Sequence, residues 1–278
     1  MSLPRFAVFG QPVAHSLSPR IHAAFAQQLG IELDYQAIDT PADDLADALR
    51  RFADAGGVGA NITVPHKSDA ADLCRNLSHR ARKAGVVNTL TRRDDGWDGD
   101  NTDGVGFVRD LQQRHGIELH DRRVLLIGAG GAAHGVAPAM LNTDIEQLVI
   151  ANRTRARAYD LIDRLDTSPR LRACILDELP TMGSFDLVIH ATSAGHGDQT
   201  LDLPDNLVGT DSACVDLNYG RAALPFMAWA HRLGCSRVHD GLGMLVEQAA
   251  EAFELWHGQR PDTDPVYAQL RLASAPRN

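Results

Sequence analysis

Short, continuous apolar runs alternate along this chain with longer stretches in which apolar residues recur at helical spacing. The runs lie at residues 6–9, 33–38, 59–66, 86–91, 123–127, 147–151, 185–193, 214–219 and 238–241. The helical stretches lie at residues 21–29, 43–55, 69–77, 136–141, 153–165, 225–233 and 243–257. Continuous apolar runs are typical of buried parallel strands, and their alternation with helices predicts open, mostly parallel sheets. We therefore predict an α/β protein with two open domains.

A glycine-rich turn follows the apolar run at residues 123–127. Its sequence, Gly128-Ala129-Gly130-Gly131-Ala132-Ala133, has the pattern G-x-G-x-x-A and leads into a helical stretch. Glycines here let backbone N–H groups approach a pyrophosphate at the positive end of a helix. A flexible surface loop can also be rich in glycine, but the flanking strand and helix favour a Rossmann-like dinucleotide site.

The end of the next strand indicates which dinucleotide binds. NAD sites usually place Asp or Glu roughly 20 residues after the glycines, where it accepts from the ribose 2′-hydroxyl. Here that place holds Asn152, Arg153 and Thr154. Arg153, helped by Thr154 and Arg157, can donate charge-assisted hydrogen bonds to a 2′-phosphate, which a carboxylate would repel. We therefore predict NADP as the cofactor, with a solvated helix start as the alternative explanation of these arginines.

Composition and net charge argue against several classes of binding partner. The 278 residues carry a formal net charge of −9, which argues against nucleic acid and anionic membranes because both select basic surfaces. The 4 cysteines are far apart and the 12 histidines show no H-E-x-x-H spacing, so neither disulfides nor a metal are predicted. The chain shows no signal-peptide pattern and no membrane-spanning run. We expect a cytoplasmic protein that acts on a small molecule, as a monomer or a homodimer.

Two serines precede the helical stretch at residues 21–29. Ser18 followed by Pro19 is typical of a helix start, with Ser18 as the N-cap and Pro19 at the first helical position. Ser16 is not needed for capping, and paired hydroxyls beside a helix start can hold a small carboxylate. Both serines are therefore candidates for ligand binding, and capping alone is the alternative for Ser18.

Polar residues also mark strand ends in the N-terminal part. Asn61 and Thr63 share one face of a strand by its period of two, and Lys67 follows just beyond it. Asn88 lies in another strand, and Asp103 ends a turn-rich segment. Open α/β sheets bind ligands at the carboxyl ends of their strands. Each residue alone could be an ordinary surface or turn position, but together they predict a polar pocket.

Two strands of the C-terminal part end where the nicotinamide half of a cofactor would lie. The candidate residues at these ends, and at the end of the last short strand, are Thr192, Ser193, Leu217 and Gly241. We predict a substrate-binding domain over residues 1–105, completed by the C-terminal helices 243–278 packing back on it. An NADP-binding domain is predicted over 106–242, with a cleft between the two.

Several longer motifs follow one another along the chain. They are His15-Ser16-Leu17-Ser18-Pro19, Asn61-Ile62-Thr63-Val64-Pro65-His66-Lys67, Val87-Asn88-Thr89-Leu90, Asp100-Asn101-Thr102-Asp103-Gly104, the Gly128 turn, Asn152-Arg153-Thr154 and Asp240-Gly241-Leu242-Gly243-Met244-Leu245-Val246-Glu247-Gln248. In this order they resemble shikimate dehydrogenases from end to end. The resemblance implies NADPH-dependent reduction of 3-dehydroshikimate to shikimate, in the biosynthesis of chorismate and aromatic amino acids.

The resemblance also assigns roles to residues. It implies that Ser16 and Ser18 hold the substrate carboxylate and that Lys67 and Asp103 form the catalytic pair. Substrate hydroxyls or the ring would be bound by Thr63, Asn88, Tyr219 and Gln248. Hydride arriving at a carbonyl carbon leaves negative charge on the oxygen, and a lysine can supply both a proton and a positive charge there.

Four positions depart from the family pattern. The family often has an acid where His79 stands, Arg at His134, Asn at His190, and Thr at Ala223. His134 and His190 border the expected cofactor site and could alter nucleotide preference. His79 and Ala223 are expected to be neutral surface changes.

Other functions are less well supported. A quinate/shikimate dehydrogenase that uses NAD is the nearest alternative, but Arg153 and Thr154 argue against it. A non-catalytic NADPH-sensing module would have no need of Lys67 and Asp103. A metal-dependent enzyme has no ligand spacing to support it.

Overall fold

The chain folds into two compact α/β units, each built on a six-stranded sheet. The computed structural model describes residues 3–165, 168–192 and 202–274. The first unit comprises Met1–Gly106 and Val246–Asn278, and the second comprises Phe107–Leu245.

Strands and helices alternate through most of the chain. The strands are β1 (Arg5–Gly10), β2 (Asp34–Asp39), β3 (Gly57–Ile62), β4 (Asn76–Leu77), β5 (Thr89–Arg93), β6 (Gly96–Asp100), β7 (Arg123–Ile127), β8 (Gln147–Asn152), β9 (Leu171–Ile175), β10 (Phe185–His190), β11 (Val208–Asp216) and β12 (Arg237–His239). The helices are α1 (Ser18–Leu29), α2 (Leu45–Asp54), α3 (Lys67–Asp72), α4 (His79–Ala84), α5 (Asp103–Arg109), α6 (Gly131–Leu141), α7 (Arg155–Arg164), α8 (Leu224–Arg232), α9 (Leu242–His257) and α10 (Asp264–Ser274).

The sheet of the first unit has the strand order β2-β1-β3-β5-β6-β4. Its β1, β2 and β3 are parallel, whereas β5 is antiparallel to both β3 and β6. The β5–β6 hairpin turns at Asp94 and Asp95, and Gly96, which begins β6, has a φ of 153° that a residue with a Cβ adopts only with strain. The mostly parallel sheet that the sequence predicts is confirmed, with this hairpin added at one side.

Helix α9 packs on the first sheet although the second unit separates it from that sheet in sequence. Trp256 donates its indole N–H to the carbonyl of Leu90 over 3.1 Å, and its ring lies 4.8 Å from that of Phe6. His22 of α1, which is fully buried, stacks on Tyr35 and lies near the ring of Trp256. The core of the first unit therefore includes residues from both ends of the chain.

The sheet of the second unit is entirely parallel, in the order β9-β8-β7-β10-β11-β12. Counted from β7, this is the 3-2-1-4-5-6 order of the Rossmann fold, with its switch point between β7 and β10. Val124 and Leu126 enter one core and Leu125 and Ile127 the other. Burial on both faces explains why β7 is an unbroken apolar run.

One predicted helix is too long. The stretch over residues 69–77 is helical only as far as Asp72, and its end forms β4 beside β6. The backbone N–H groups of Arg75 and Ser78 donate to carbonyls of that hairpin instead of continuing the helix. These partners come from a distant part of the chain, which a local pattern cannot show.

Candidate functional site

Lys67 and Asp103 form a buried ion pair in the first unit. Lys67 is the first residue of α3 and Asp103 the first of α5, and Nζ lies 2.5 Å from Oδ2. Their side chains are only 12% and 6% exposed. A lysine at a helix start is unfavourable toward the helix dipole, so the carboxylate is its main electrostatic support.

Asn88 holds the other oxygen of this carboxylate. Its Nδ2 lies 2.8 Å from Asp103 Oδ1, 2.9 Å from Thr102 Oγ1 and 3.2 Å from Gln248 Oε1. Its Oδ1 accepts the backbone N–H of Thr102 over 2.8 Å. Asn88 thus joins the segment before α5 to helix α9. The predicted residues Lys67, Asn88, Asp103 and Gln248 are brought together, and Thr102, which is not among the predicted site residues, belongs with them.

Asn61 and Thr63 lie on the neighbouring strand β3 and its end. Asn61 donates to the carbonyl of Asn88 and accepts the hydroxyl of Tyr35 over 2.7 Å, so its side chain is committed to protein partners. Thr63 is half-buried, with its methyl group against Gly10. Burial raises the pKa of Tyr35 well above its usual value, opposed by a hydrogen bond with Ser18. Tyr35 therefore connects Ser18 to the Asn61–Asn88 network, a link that no local motif indicates.

The two serines differ from the capping prediction. Leu17 is the N-cap of α1, without a side-chain cap, and Ser18 is the first helical residue. The backbone N–H of Ser18 donates to Ser16 Oγ over 3.2 Å. The prediction of Ser18 as the N-cap is therefore wrong, because Ser16 reaches the first helical N–H. Ser18 is buried and Ser16 half-buried.

The glycine turn of the second unit has room for a phosphate group. Gly128 has a φ of 116°, and a Cβ on it would lie 2.7 Å from the carbonyl oxygen of Ala191. A Cβ on Gly130 would meet nothing within 4 Å, and α6 begins beyond Gly130 without a side-chain cap. Uncapped N–H groups beside open space suit a pyrophosphate. Gly131 and Ala132, the first residues of α6, are half-buried, while Ala129 is buried.

The segment after β8 presents basic side chains to solvent, which suits a 2′-phosphate. Arg153, Thr154 and Arg157 are exposed, and Asn152 Nδ2 donates to the carbonyl of Thr154 over 3.0 Å. Arg155 pairs with Glu178. Within the described ranges, the guanidinium groups of Arg153 and Arg157 have no hydrogen-bond or ion-pair partner, so they are available to an anion.

The strand ends beside the glycine turn bring the remaining cofactor candidates together. A Cβ on Gly128 would lie 3.1 Å from Thr192 Cγ2, and one on Gly241 only 2.2 Å from the carbonyl oxygen of Leu217. The backbone N–H of Leu217 donates to the carbonyl of His190. Ser193 lies outside the described residues.

Strand β11 ends earlier than its predicted bounds. It stops at Asp216, so Tyr219 stands beyond the strand, half-buried in the second unit. Asn218 accepts the N–H of Gly241 and is a further residue at these strand ends that we had not assigned.

Two of the family departures lie in buried positions. His190 is buried and bridges Asp216 and Thr192, an arrangement that strand periodicity alone does not reveal. Ala223 is fully buried, so its prediction as a surface change is wrong. His79 is exposed as expected, and His134 is half-buried in the first turn of α6.

Two other kinds of feature are absent among the described residues. None of the helices described is long and apolar enough to cross a membrane. Residues 3–165, 168–192 and 202–274 contain no group of three His, Cys, Asp or Glu side chains able to hold a metal ion.

Comparisons with known proteins agree along the whole chain. Residues 8–90 match the family described as shikimate dehydrogenase substrate binding domain, residues 110–198 shikimate / quinate 5-dehydrogenase, and residues 241–271 the shikimate 5'-dehydrogenase C-terminal domain. A curated NADP(+) shikimate dehydrogenase of Xanthomonas oryzae is 55% identical, covering 99% of this chain and 98% of the relative.

Two solved structures are similar to this chain over nearly its full length. The shikimate 5-dehydrogenase of Thermus thermophilus in complex with NADP(H) and shikimate is 34% identical, with a TM-score of 0.83 over 98% of this chain and 100% of the other. An Ael1 enzyme from Pseudomonas putida is 42% identical, with a TM-score of 0.89 over 98% and 99% of the two chains.

Proposed function

This chain belongs to the shikimate dehydrogenase family, and we propose on that basis that it reduces 3-dehydroshikimate to shikimate, reversibly, with NADPH. The reaction is a step toward chorismate and the aromatic amino acids. The observation that carries the proposal is the buried Lys67–Asp103 pair, with an Nζ–Oδ2 distance of 2.5 Å, in the unit that matches the substrate-binding family.

Lys67 acts on the substrate oxygen. NADPH, when bound, supplies the hydride that the carbonyl carbon receives. The ammonium group of Lys67 stabilises the negative charge that develops on the oxygen and delivers a proton to it. Asp103 holds the ammonium group in place, and Asn88 fixes the second carboxylate oxygen so that the pair has one orientation. In the reverse direction Lys67 accepts the proton of the shikimate hydroxyl.

The remaining polar residues position the substrate. Ser16 and Ser18, at the start of α1, bind the carboxylate. Hydroxyl groups or the ring are held by Asn61, Thr63, Asn88, Tyr219 and Gln248. Asn61 acts mainly by orienting Asn88, because its own amide and carbonyl already have protein partners. Holding the substrate in one orientation raises the rate of the reaction and lets the site discriminate among similar acids.

The second unit holds the cofactor. The N–H groups around the glycine turn bind the pyrophosphate, and the segment after β8 binds the 2′-phosphate. The residues assigned are Gly128, Ala129, Gly130, Gly131, Ala132, Asn152, Arg153, Thr154, Arg157, Thr192, Ser193, Leu217 and Gly241. In this assignment residues 1–105 with 243–278 form the substrate domain and residues 106–242 the NADP domain, close to the observed unit boundaries.

The cellular setting is part of the proposal. All four cysteines are free thiols, as a reducing cytoplasm would leave them, and we assign the protein to that compartment. It acts on small molecules, without nucleic acid or membrane, as a monomer or a homodimer.

The test is absorbance at the reduced-nicotinamide band, with shikimate or quinate each offered NADP or NAD. Fast reduction of NADP with shikimate is the expected result. Turnover of quinate with NAD would instead assign the chain to catabolic quinate dehydrogenation. Binding of NADPH without any turnover would mean a sensor, and would contradict the role of Lys67.

A further inference from the structure

His190 is a buried imidazole whose two nitrogens both face hydrogen-bonding partners. Nδ1 lies 2.9 Å from Asp216 Oδ2, and Nε2 lies 2.6 Å from Thr192 Oγ1. The ring also stacks on Phe226, with centroids 5.1 Å apart and planes inclined by 13°. The side chains of His190 and Asp216 are 2% and 0% exposed. The imidazole is therefore held in one orientation and cannot reach a ligand itself.

The neighbours of Asp216 determine where the His190 proton lies. Asp216 Oδ1 accepts both the backbone N–H and the Nδ2 of Asn218, each over 2.8 Å. The carboxylate is thus an acceptor on this side, and toward His190 it accepts from an Nδ1–H group. When the ring is neutral, the proton on Nδ1 leaves a lone pair on Nε2, and the Thr192 hydroxyl is then the donor of the 2.6 Å hydrogen bond.

Thr192 is consequently fixed on three sides. Its hydroxyl hydrogen points to His190, its carbonyl accepts Asn218 Nδ2 over 3.0 Å, and its methyl group lies against Gly128. The side chain is only half-buried, at the carboxyl edge of the sheet where the glycine turn begins. With its hydrogen committed to His190, the Thr192 oxygen can interact with a ligand only as a hydrogen-bond acceptor.

We propose that His190 is a positioning residue for the cofactor. It holds the Thr192 hydroxyl as an acceptor for a hydroxyl or amide N–H donor on the nicotinamide–ribose half of NADP. The inference rests on the proposed function, which assigns Thr192 to the cofactor. It adds that the imidazole of His190, held by Asp216 at Nδ1, orients the Thr192 hydroxyl at Nε2.

Three variants separate the two hydrogen bonds of the ring. In His190→Asn, the amide nitrogen can take the place of Nδ1, which keeps the bond to Asp216 and loses the bond to Thr192. Thr192→Val keeps the shape of the side chain but removes the hydroxyl. His120→Asn is the matched control, because the side chain of His120 is 75% exposed beside Asp121.

The first readout is the dissociation constant for NADPH, from its fluorescence in titrations of each folded variant. His190→Asn and Thr192→Val should each weaken binding about tenfold, the effect of one lost hydrogen bond. The double variant should bind no more weakly than Thr192→Val alone, because both changes remove the same interaction. His120→Asn should match wild type. Wild-type affinity in His190→Asn, or additive effects in the double variant, would overturn the proposal.

The second readout does not depend on His190→Asn folding. In wild-type protein with ¹⁵N-labelled histidine, NMR should show the His190 ring as the Nδ1–H tautomer, with Nε2 accepting a hydrogen bond. The Nε2 resonance should move in Thr192→Val, which also assigns it. An Nε2–H tautomer, or a resonance that does not respond to Thr192→Val, would contradict the inference.

The shikimate assay on the same preparations separates this inference from the proposed function. Wild-type protein that binds NADPH but does not oxidise shikimate would refute the activity while leaving the His190 result to stand on affinity and NMR. Normal turnover with unchanged affinity in His190→Asn would refute only the role of His190. Failure of wild type to bind NADPH would refute both.

Discussion

Lys67 combines two properties that the proposed reaction needs and that few side chains supply together. It carries a proton and a positive charge, and Asp103 keeps the ammonium group at a fixed place in a largely buried setting. Lys83 carries the same charge at the end of α4, where its side chain is half-exposed. The chemistry assigned to Lys67 therefore comes from its surroundings, and substitution can test this directly.

We expect Lys67→Ala to lower kcat by about 10²–10⁴-fold, the usual contribution of general acid–base catalysis. The KM for shikimate should change little, because the serines and amides to which we assign substrate positioning are untouched. Steady-state kinetics with saturating NADP provides the measurement, and Lys83→Ala is the matched control. Unchanged turnover in Lys67→Ala would refute the catalytic role.

In the proposed function, Arg153 is the residue that selects NADP over NAD. Removing its guanidinium group should raise the KM for NADP by about 10–100-fold, since hydrogen bonds to charged groups contribute about 1.5–3 kcal/mol. Kinetics with NAD, which lacks the 2′-phosphate, should stay the same. Arg155→Ala is the control, because Arg155 is engaged with Glu178. Equal losses in the two variants would argue against a specific 2′-phosphate contact.

Single residues were predictable where polar side chains follow strands. Lys67, Asn88 and Asp103 could be placed in one pocket because carboxyl ends of strands meet at one edge of a sheet. The contacts of Tyr35 and of His190 could not be predicted, because they depend on which strands and helices become neighbours. The prediction of Ser18 as the N-cap failed because the helix begins one residue earlier than expected, and the hydroxyl of Ser16 accepts the backbone N–H of Ser18.

At the scale of elements, the β7–α6 turn contains two glycines with different tasks. Gly128 is required by the fold, since its backbone is left-handed and a Cβ would clash with Ala191. Gly130 has ordinary backbone angles and open space around it. The sequence motif groups these residues together, and only the structure separates the need for folding from the need for binding.

Alanine at the two glycines should therefore have opposite effects. Gly130→Ala should leave the melting temperature within a few degrees of wild type and weaken NADPH binding, because the new methyl group occupies the space of the pyrophosphate. Gly128→Ala should lower the free energy of unfolding by about 1–3 kcal/mol, the usual cost of a strained backbone. Thermal unfolding and NADPH titration of both variants decide this. A destabilised Gly130→Ala protein that retains full affinity would contradict the assignment.

The packing of α1 against α9 contains a histidine that must stay neutral. Burial, assisted by the nearby His257, lowers the pKa of His22 to about 3. The unfolded chain binds a proton at this imidazole near pH 6.5, and the folded chain does so only near pH 3. The contribution of neutral His22 to the free energy of unfolding is therefore complete above pH 6.5 and is lost as the pH falls from 6.5 toward 3. Acid should therefore weaken the contact between the two helices.

The expected loss is about 2 kcal/mol between pH 7.5 and pH 5, from the linkage between proton binding and unfolding. Urea unfolding at the two pH values, followed by tryptophan fluorescence, measures it. His22→Leu should reduce this pH dependence whatever its own stability, and His120→Leu, at an exposed site, should leave it as in wild type. The same pH dependence in wild type and His22→Leu would show that other groups are responsible.

At the scale of the whole molecule, the two units differ in how the chain forms them. The second is one continuous segment, Phe107–Leu245, whereas the first needs Val246–Asn278 as well as Met1–Gly106. Phe253 and Trp256, from the later segment, pack on His22 of the earlier one. Periodicity predicted the fold class, and the position of α9 after the last strand of the second unit led us to expect its return to the first; the individual contacts with His22 depend on tertiary packing.

A fragment of residues 107–245 should fold alone and bind NADPH, because its sheet and both of its core clusters lie within it. Residues 1–106 alone should lack cooperative unfolding. Joining them to residues 246–278 through a flexible Gly/Ser linker should restore it. Circular dichroism during thermal unfolding, with NADPH fluorescence for the first fragment, provides the measurement. A cooperative transition in residues 1–106 alone would contradict the role of the C-terminal helices.

The division of the first unit into two chain segments also determines when it can complete its folding during synthesis on the ribosome. Its sheet is synthesised first, but the aromatic side chains that cover one face of it leave the exit tunnel almost last. The continuous second unit can fold in the interval, while the segment synthesised earlier still exposes apolar surface. Because transiently exposed apolar surface is where aggregation begins, nascent chains of this enzyme should depend on chaperones most while the middle of the message is being translated.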